Sequence, residues 1–146
     1  MRILALAAVA LSLAAAQAAS AAEVVVEMLN RDKDTNTSNL FKPGLVKIAK
    51  GDTVKWIATN PGHNVSFVQG GVPAGVALFT SSFAKEVTYK FDKPGIYLYK
   101  CTPHMGMGMV GLVVVGNDKS NLAAVKAAYL APLAKKRLET LLTGLN

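Results

Sequence analysis

The chain has 146 residues and a formal net charge of +7, and 51% of its residues are hydrophobic. That length suffices for one domain with a single hydrophobic core and leaves no room for a second large one. The basic charge favours acidic partners, but no dense run of lysine and arginine and no nucleic-acid-binding motif is present, so nucleic acid is not an expected partner.

Residues 1–22 have the pattern of a secretory signal peptide. Arg2 precedes an apolar stretch, and the segment ends in small residues that predict cleavage after Ala21 or Ala22. A transmembrane anchor is disfavoured because the stretch is short and rich in alanine. No other segment is long and apolar enough to cross a bilayer. We therefore expect an exported protein whose mature part, 23–146, forms a single domain.

The mature chain continues with short segments that predict β-strands. β-Branched and aromatic residues dominate them, and turn residues such as Gly51 and Pro94 separate them. The segment 31–39 is polar and predicts a loop, and so does 69–82. Seven or so short strands of this kind are typical of a β-sandwich. The predicted strands cover 23–30, two stretches of 44–60 on either side of a Gly51–Asp52 turn, 63–68, 85–92, the part of 93–101 after Pro94–Gly95, and 109–116.

The pattern changes at 120–146, which is rich in alanine, leucine and lysine. Ser120 or Asn121 can cap a first helix, Pro132 suits the first turn of a second helix, and Gly144 suits its end. Apolar residues recur at helical spacing and predict a face that packs on the sandwich. These residues are Leu122, Val125, Tyr129, Leu133, Leu138, Leu141 and Leu142.

The segment 100–109, KCTPHMGMGM, contains the only cysteine of the chain, one of its two histidines and three of its five methionines. Cys101, His104 and Met109 lie in the loop between two neighbouring predicted strands, so the ends of that loop meet. His63, the other histidine, lies at the entrance of a predicted strand and is the available fourth ligand. A lone cysteine in an exported protein also needs an explanation, and metal ligation provides one.

Two histidines, one cysteine and a long axial methionine form the ligand set of electron-transfer copper sites. Zinc competes, since cysteine and histidine bind it well, but methionine favours copper. Taken singly, each residue has an ordinary structural explanation, such as a methionine that fills a gap in the core. Taken together, they predict one copper site, in which Met107 is the rival of Met109 for the axial position.

The sequence GHNV at 62–65, followed by YKCTPHMGMGM at 99–109, resembles the blue copper proteins, the cupredoxins, and within them the pseudoazurins. Plastocyanin-like chains end soon after the last strand, whereas pseudoazurins carry two C-terminal helices. The resemblance implies an all-β Greek-key sandwich of about eight strands with two C-terminal helices, and one type 1 copper ion. It also implies a periplasmic electron carrier, not an enzyme, that donates to copper nitrite reductase. We expect a monomer.

Neighbouring residues are expected to hold the ligands and to form the surface through which the electron leaves. Asn64 is expected to link the two ligand-bearing loops, and Pro103 to stiffen the segment that ends at His104. We expect the electron to leave through the edge of His104, within an apolar patch. Lys100 is the first candidate for a basic rim that attracts acidic docking patches on a redox partner. The predicted exit surface comprises His104, Met105, Gly106, Met107 and Lys100.

Three other functions make different demands on the chain. A copper chaperone or storage module, the main alternative, binds Cu(I) best and need not form an intensely coloured Cu(II) state. A copper enzyme needs a second metal cluster or an open coordination position, and both histidines of this chain are already used. A copper-free adhesion domain leaves the spacing of histidine, cysteine and methionine as a coincidence.

Overall fold

A computed structural model describes residues 20–145, so nearly all of the predicted signal peptide lies outside the described residues. Within that range the chain forms eight β-strands, two α-helices and two short 3-10 turns. The strands are β1 (Glu23–Arg31), β2 (Ser38–Lys42), β3 (Leu45–Ile48), β4 (Thr53–Ile57), β5 (Ser66–Phe67), β6 (Val87–Lys90), β7 (Gly95–Lys100) and β8 (Val110–Val115). The helices are α1 (Leu122–Ala127) and α2 (Pro132–Leu142), and the 3-10 turns cover Met105–Met107 and Thr143–Leu145.

The strands form two four-stranded sheets, with the orders β2-β1-β4-β6 and β3-β8-β7-β5. Each sheet contains one parallel pair, β1 with β4 and β3 with β8, and its other pairs are antiparallel. Most successive strands lie in different sheets, so the chain repeatedly crosses the core. This architecture confirms the predicted Greek-key sandwich with two C-terminal helices.

Strands β7 and β8 are buried on both faces. Because side chains alternate along a strand, Tyr97, Tyr99 and Cys101 lie on the face that packs into the sandwich. Ile96 and Leu98 lie on the opposite face, in a second cluster that contains apolar residues of both C-terminal helices. The helices therefore cover the outer face of one sheet, and this explains the nearly continuous apolar runs of β7 and β8.

Strand β2 was not predicted, and the predicted strand at 63–68 is much shorter than expected. The segment 31–39 was expected to be a loop, but β2 begins at Ser38, which pairs with Arg31 of β1. The segment 63–68 was expected to be a strand, but only Ser66 and Phe67 join the ladder of β7. Both differences arise because strand pairing depends on a distant partner segment, which local composition does not encode.

The two C-terminal helices were predicted correctly, and Pro132 lies in the first turn of α2. The predicted packed face and the predicted cap differ from the structure. Tyr129 and Leu133 do not belong to the packed face, because they are 85% and 58% exposed. Asn121 precedes α1 but makes no capping bond. Its amide instead donates to the carbonyl of Ile96 and accepts from the N–H of the same residue.

Gly144 does not end α2 as predicted. It lies inside the 3-10 turn Thr143–Leu145. A Cβ atom at Gly144 would meet Leu45 Cδ2 at 2.6 Å, so close packing on the sheet accounts for the glycine. None of the helices within residues 20–145 combines the length and apolar character that a bilayer span requires.

Asp32 organises the loop that leads from β1 to β2. Its carboxylate accepts hydrogen bonds from Lys42 Nζ at 3.0 Å, the Asp34 N–H at 3.1 Å and the Thr35 hydroxyl at 3.1 Å. The side chain is only 7% exposed. The hydrogen bond from Lys42 and that from Asp34 hold the pKa of Asp32 below its usual range. The charged form of Asp32 therefore stabilises the folded chain.

Replacing Asp32 by asparagine is expected to lower the stability of the protein at neutral pH. Because the folded-state pKa of Asp32 lies below the unfolded value, its contribution is present at neutral pH and is lost as the pH falls through the folded value. Urea unfolding of Asp32→Asn and the parent should therefore converge below about pH 4. The control Asp92→Asn removes an exposed carboxylate. A stability gap independent of pH would contradict this account.

Candidate metal centre

Three side chains from two separate loops meet at one end of the sandwich. Cys101 Sγ lies 3.6 Å from His63 Nδ1 and 3.4 Å from His104 Nδ1, and the two Nδ1 atoms are 3.0 Å apart. All three ligand atoms lie within 4.8 Å of one another. The structure thus brings together residues that are separated by up to 41 positions in the sequence.

The loop 101–109 folds into this position through its own backbone. The N–H of Cys101 donates to the carbonyl of Met109, and the N–H of Met109 donates to the carbonyl of His104. The N–H of His104 donates to the carbonyl of Cys101. Since Lys100 and Val110 pair as the last rung of β7 and β8, the loop closes at the end of a rigid antiparallel ladder. Cys101 and Met109 are therefore adjacent and fully buried.

His63 is oriented by Asn30, a residue that the sequence did not single out. The ring Nε2 lies 2.8 Å from Asn30 Oδ1. Because an amide oxygen only accepts, Nε2 carries the proton and Nδ1 keeps a free lone pair directed at Cys101 and His104. Asn60 Oδ1 in turn accepts the backbone N–H of Asn30 at 2.9 Å. Burial lowers the pKa of His63, and His104 lowers it further, so the neutral ring is favoured.

Asn64 joins the two loops directly. Its Oδ1 accepts the backbone N–H of Thr102 at 2.8 Å, and its Nδ2 donates to the Thr102 hydroxyl at 3.1 Å. Burial raises the pKa of the Cys101 thiol, while backbone hydrogen bonds from Asn64 and His104 act in the opposite direction. Asn64 is itself buried, so its amide forms a fixed link between the residue after His63 and the residue after Cys101.

The loop also forms part of the molecular surface. His104 and Met105 are half-buried, whereas Pro103, Gly106 and Met107 are exposed. Met107 is 56% exposed, whereas His63 and Cys101 are fully buried. The predicted rim residue Lys100 is half-buried at the end of β7. His104, Met105, Gly106 and Met107 of the predicted exit surface thus form one partly accessible stretch, and Lys100 lies at the strand end that leads into the loop.

The loop rests against β2 and α2. Asn39 Nδ2 donates to Met107 Sδ at 3.2 Å, and Arg137 Nη1 donates to the Asn39 carbonyl at 2.9 Å. Gly108 has a φ of 88°, and a Cβ atom there would meet the Leu133 carbonyl oxygen at 3.3 Å. A glycine is required at this position because of its backbone conformation and its close approach to the helix. Neither Asn39 nor Arg137 carried a signal in the sequence that pointed to this role.

The donor atoms fit copper. Cys101 offers a soft sulfur, and His63 and His104 offer two imidazole nitrogens that face it. Met109, a thioether-bearing residue, is fully buried in the same cluster as Cys101. A buried nitrogen lone pair aimed at a thiol and a second imidazole is the arrangement expected of a preformed metal site rather than of a packed core.

Comparison with known proteins identifies the family. Residues 26–116 match the family model of copper binding proteins of the plastocyanin/azurin family. A putative pseudoazurin of Rhizobium leguminosarum bv. viciae is 46% identical over 118 residues, which cover 81% of this chain and 76% of the relative. The pseudoazurin of Methylorubrum extorquens is 40% identical over 139 residues, covering 95% and 93%. The chain belongs to the pseudoazurins of the plastocyanin/azurin family.

Solved structures of pseudoazurins have the same fold. The crystal structure of native pseudoazurin from Hyphomicrobium denitrificans aligns with a TM-score of 0.78 and 44% identity, covering 84% of this chain and 97% of that one. Pseudoazurins and plastocyanins are electron carriers rather than enzymes, and each binds one type 1 copper ion. The cluster of His63, Cys101 and His104 is the possible copper site of this chain.

Removing the acceptor that orients His63 is expected to weaken copper binding. Asn30→Ala frees the Nε2 proton from Oδ1, so the ring loses its fixed tautomer and orientation, and the affinity should fall by about 10-fold or more. Competition with a chelator measures this affinity. Asn30→Asp keeps an acceptor oxygen and should retain most of it, and Asn117→Ala, on the exposed loop after β8, serves as a control. Equal affinities for Asn30→Ala and the control would contradict the role of Asn30.

Proposed function

We propose that this protein is a periplasmic electron carrier in which His63, Cys101, His104 and Met109 hold one type 1 copper ion. The observation that carries the proposal is the convergence of the buried Cys101 sulfur with one buried and one partly exposed histidine. When bound, copper supplies a one-electron Cu(II)/Cu(I) couple. The chain has to hold the ion in a fixed environment and to bring one ligand within reach of a partner.

Fixed ligand positions are supported by the hydrogen bonds around the site. Asn30 holds the ring of His63, and Asn64 holds the loop that follows Cys101. The ligand loop closes on itself through the backbone of Cys101, His104 and Met109. Side chains that are held in this way move little when the charge of the site changes, and a preorganised environment of this kind is what fast electron exchange requires.

Met109 is the proposed axial ligand because it is fully buried and lies directly opposite Cys101 at the end of the ladder. Met107, the rival, is exposed, and its sulfur accepts a hydrogen bond from Asn39. That contact keeps the Met107 thioether on the outer side of the loop. The two methionines therefore have different roles, one in the pocket and one on the surface.

The proposed route of the electron is the accessible edge of His104. This side chain is half-buried, whereas His63 and Cys101 are fully buried, so His104 lies nearest to solvent among these three. Apolar neighbours such as Met105 and Met107 shed water readily when a partner approaches. Small interfaces with charged steering form and dissociate quickly, as a carrier requires.

The proposed partner class is a redox protein with acidic docking patches, with copper nitrite reductase as the proposed electron acceptor. Cleavage of the predicted signal peptide 1–22 removes Arg2 and changes the net charge from +7 to +6. The exported protein thus remains strongly basic, which favours acidic partners. Export also fits a single cysteine that is protected as a metal ligand.

Adding one equivalent of Cu(II) to the purified protein is expected to give an intense thiolate-to-copper charge-transfer band. The band should bleach on reduction and return on oxidation, because the ligands hold both oxidation states. Cys101→Ser removes the thiolate and should abolish the band. Visible and electron paramagnetic resonance spectra measure this outcome. A pale product from the parent protein would favour the chaperone or storage module instead.

The two methionines give a matched pair of variants. Met109→Leu is expected to change the spectrum of the Cu(II) protein and to raise its reduction potential, because loss of the thioether donor destabilises Cu(II) relative to Cu(I). Met107→Leu should leave both nearly unchanged, since Met107 is exposed and bonded to Asn39. Cyclic voltammetry and visible spectroscopy test the assignment. The reverse pattern would make Met107 the axial ligand.

A further inference from the structure

A groove lies beside the ligand loop, between α2, the 3-10 turn Met105–Met107 and the start of β2. Its volume is about 450 Å³. Met107 and Leu133 expose apolar surface in it, and Lys136 and Arg137 contribute positive charge. The groove thus combines an apolar edge next to the ligand loop with a basic edge on the tail helix.

Arg137 is the unusual residue of the groove. The residue is half-buried, and its Nη1 donates to the Asn39 carbonyl at 2.9 Å. A guanidinium has five N–H donors, and within residues 20–145 no carboxylate forms an ion pair with this one. Burial lowers the pKa of Arg137. Its remaining N–H donors are therefore open to an acceptor from outside the chain.

The charges around Arg137 leave the groove positive. Lys136 adds a second cation, and among the described residues 20–145 none that lines the groove is acidic. Asp32 lines the adjoining cavity, but it is already engaged by Lys42. Thr37 and Thr140 also line the groove, but their hydroxyls are engaged within the chain: that of Thr140 donates to the Lys136 carbonyl at 3.2 Å, and that of Thr37 lies 2.9 Å from the Thr35 hydroxyl. The two cations of the lining therefore favour an anionic group, and on an acidic protein partner that group is a carboxylate.

We propose that this groove is a docking site for a carboxylate side chain of the acidic redox partner. The proposal rests on the electron-carrier function and extends its docking surface from the ligand loop to the tail helix. Arg137 can bind a carboxylate through two parallel N–H donors. Met107 lies three residues after His104, so a partner held in the groove also covers the exit surface. The exposed Leu133 adds apolar contact area.

An acidic peptide provides a defined probe for this site. The copper-loaded protein is reduced to the diamagnetic Cu(I) form and titrated with an amidated tetraglutamate peptide at low ionic strength, and NMR follows the backbone and arginine side-chain signals. We expect the largest shifts at Met107, Leu133 and Arg137. Tetraglutamine should cause none of them, and added salt should reverse them.

Variants that remove the positive charges of the groove test whether these charges bind the peptide. Lys136→Gln combined with Arg137→Gln is expected to raise the peptide Kd by about tenfold or more, because charge-assisted hydrogen bonds are lost. Lys47→Gln is the control, because it removes an exposed cation. Lys47 lies on β3 and is paired in the sheet with Val114, far from the ligand loop. This control should change the Kd by less than about twofold. If the double variant does not fold, Lys136→Gln alone and Arg137→Lys should each weaken binding by a smaller factor.

Three outcomes overturn the proposal. In the first, the peptide-induced NMR shifts lie away from the groove. In the second, Lys47→Gln weakens peptide binding as much as the double variant does. In the third, inorganic phosphate competes with the peptide at equal concentration, which would make the groove a general anion site. The copper titration is an independent measurement. If the protein forms the coloured Cu(II) state but the peptide does not bind in the groove, only the docking site is disproved. If the protein forms no coloured Cu(II) state, the electron-carrier function is disproved.

Discussion

The candidate site depends on the pairing of β7 with β8. This antiparallel ladder ends at Lys100 and Val110, and the loop beyond it is closed by the hydrogen bond from the Cys101 N–H to the Met109 carbonyl. The ladder fixes the distance between a buried sulfur residue at each end of the loop. His104 can then only arch over the gap, since its own backbone is bonded to Cys101 and Met109. The geometry of the site is thus a consequence of sheet structure.

Burial on both faces makes this ladder rigid. Tyr97 and Tyr99 pack into the sandwich, and Ile96 and Leu98 pack under the C-terminal helices. A shift in register by one residue would move every side chain of such a strand to the opposite face, and burial on both faces opposes that change. The helices have a second effect, because α2 supports the ligand loop at Gly108 through the Leu133 carbonyl. The tail therefore stabilises the sheet and positions the surface next to His104.

The site divides its histidines between two tasks. His63 is fully buried and is held by Asn30, so it is suited to fix the ligand set. His104 is partly accessible and lies among exposed loop residues, so it is suited to face a partner. This asymmetry, with the basic groove on one flank, connects a closed interior to a surface that an acidic protein can recognise.

Much of this protein could be predicted from the sequence. Alternating apolar residues indicated most of the strands, Pro132 marked the start of α2, and the concentration of soft ligands at 100–109 indicated a copper site. These features are local, because strand periodicity, proline geometry and ligand chemistry depend on residues that are close in the chain. The family and its fold follow from the same residues.

The tertiary structure alone decided the long-range contacts. The start of β2 at Ser38, the restriction of β5 to Ser66–Phe67 and the bond from Asn30 to His63 depend on segments that are distant in sequence. The contacts of Arg137 were also decided by the tertiary structure, since the sequence showed only that this residue lies in a basic helix. A polar side chain can pair with many partners, and only the folded chain determines which of them it meets.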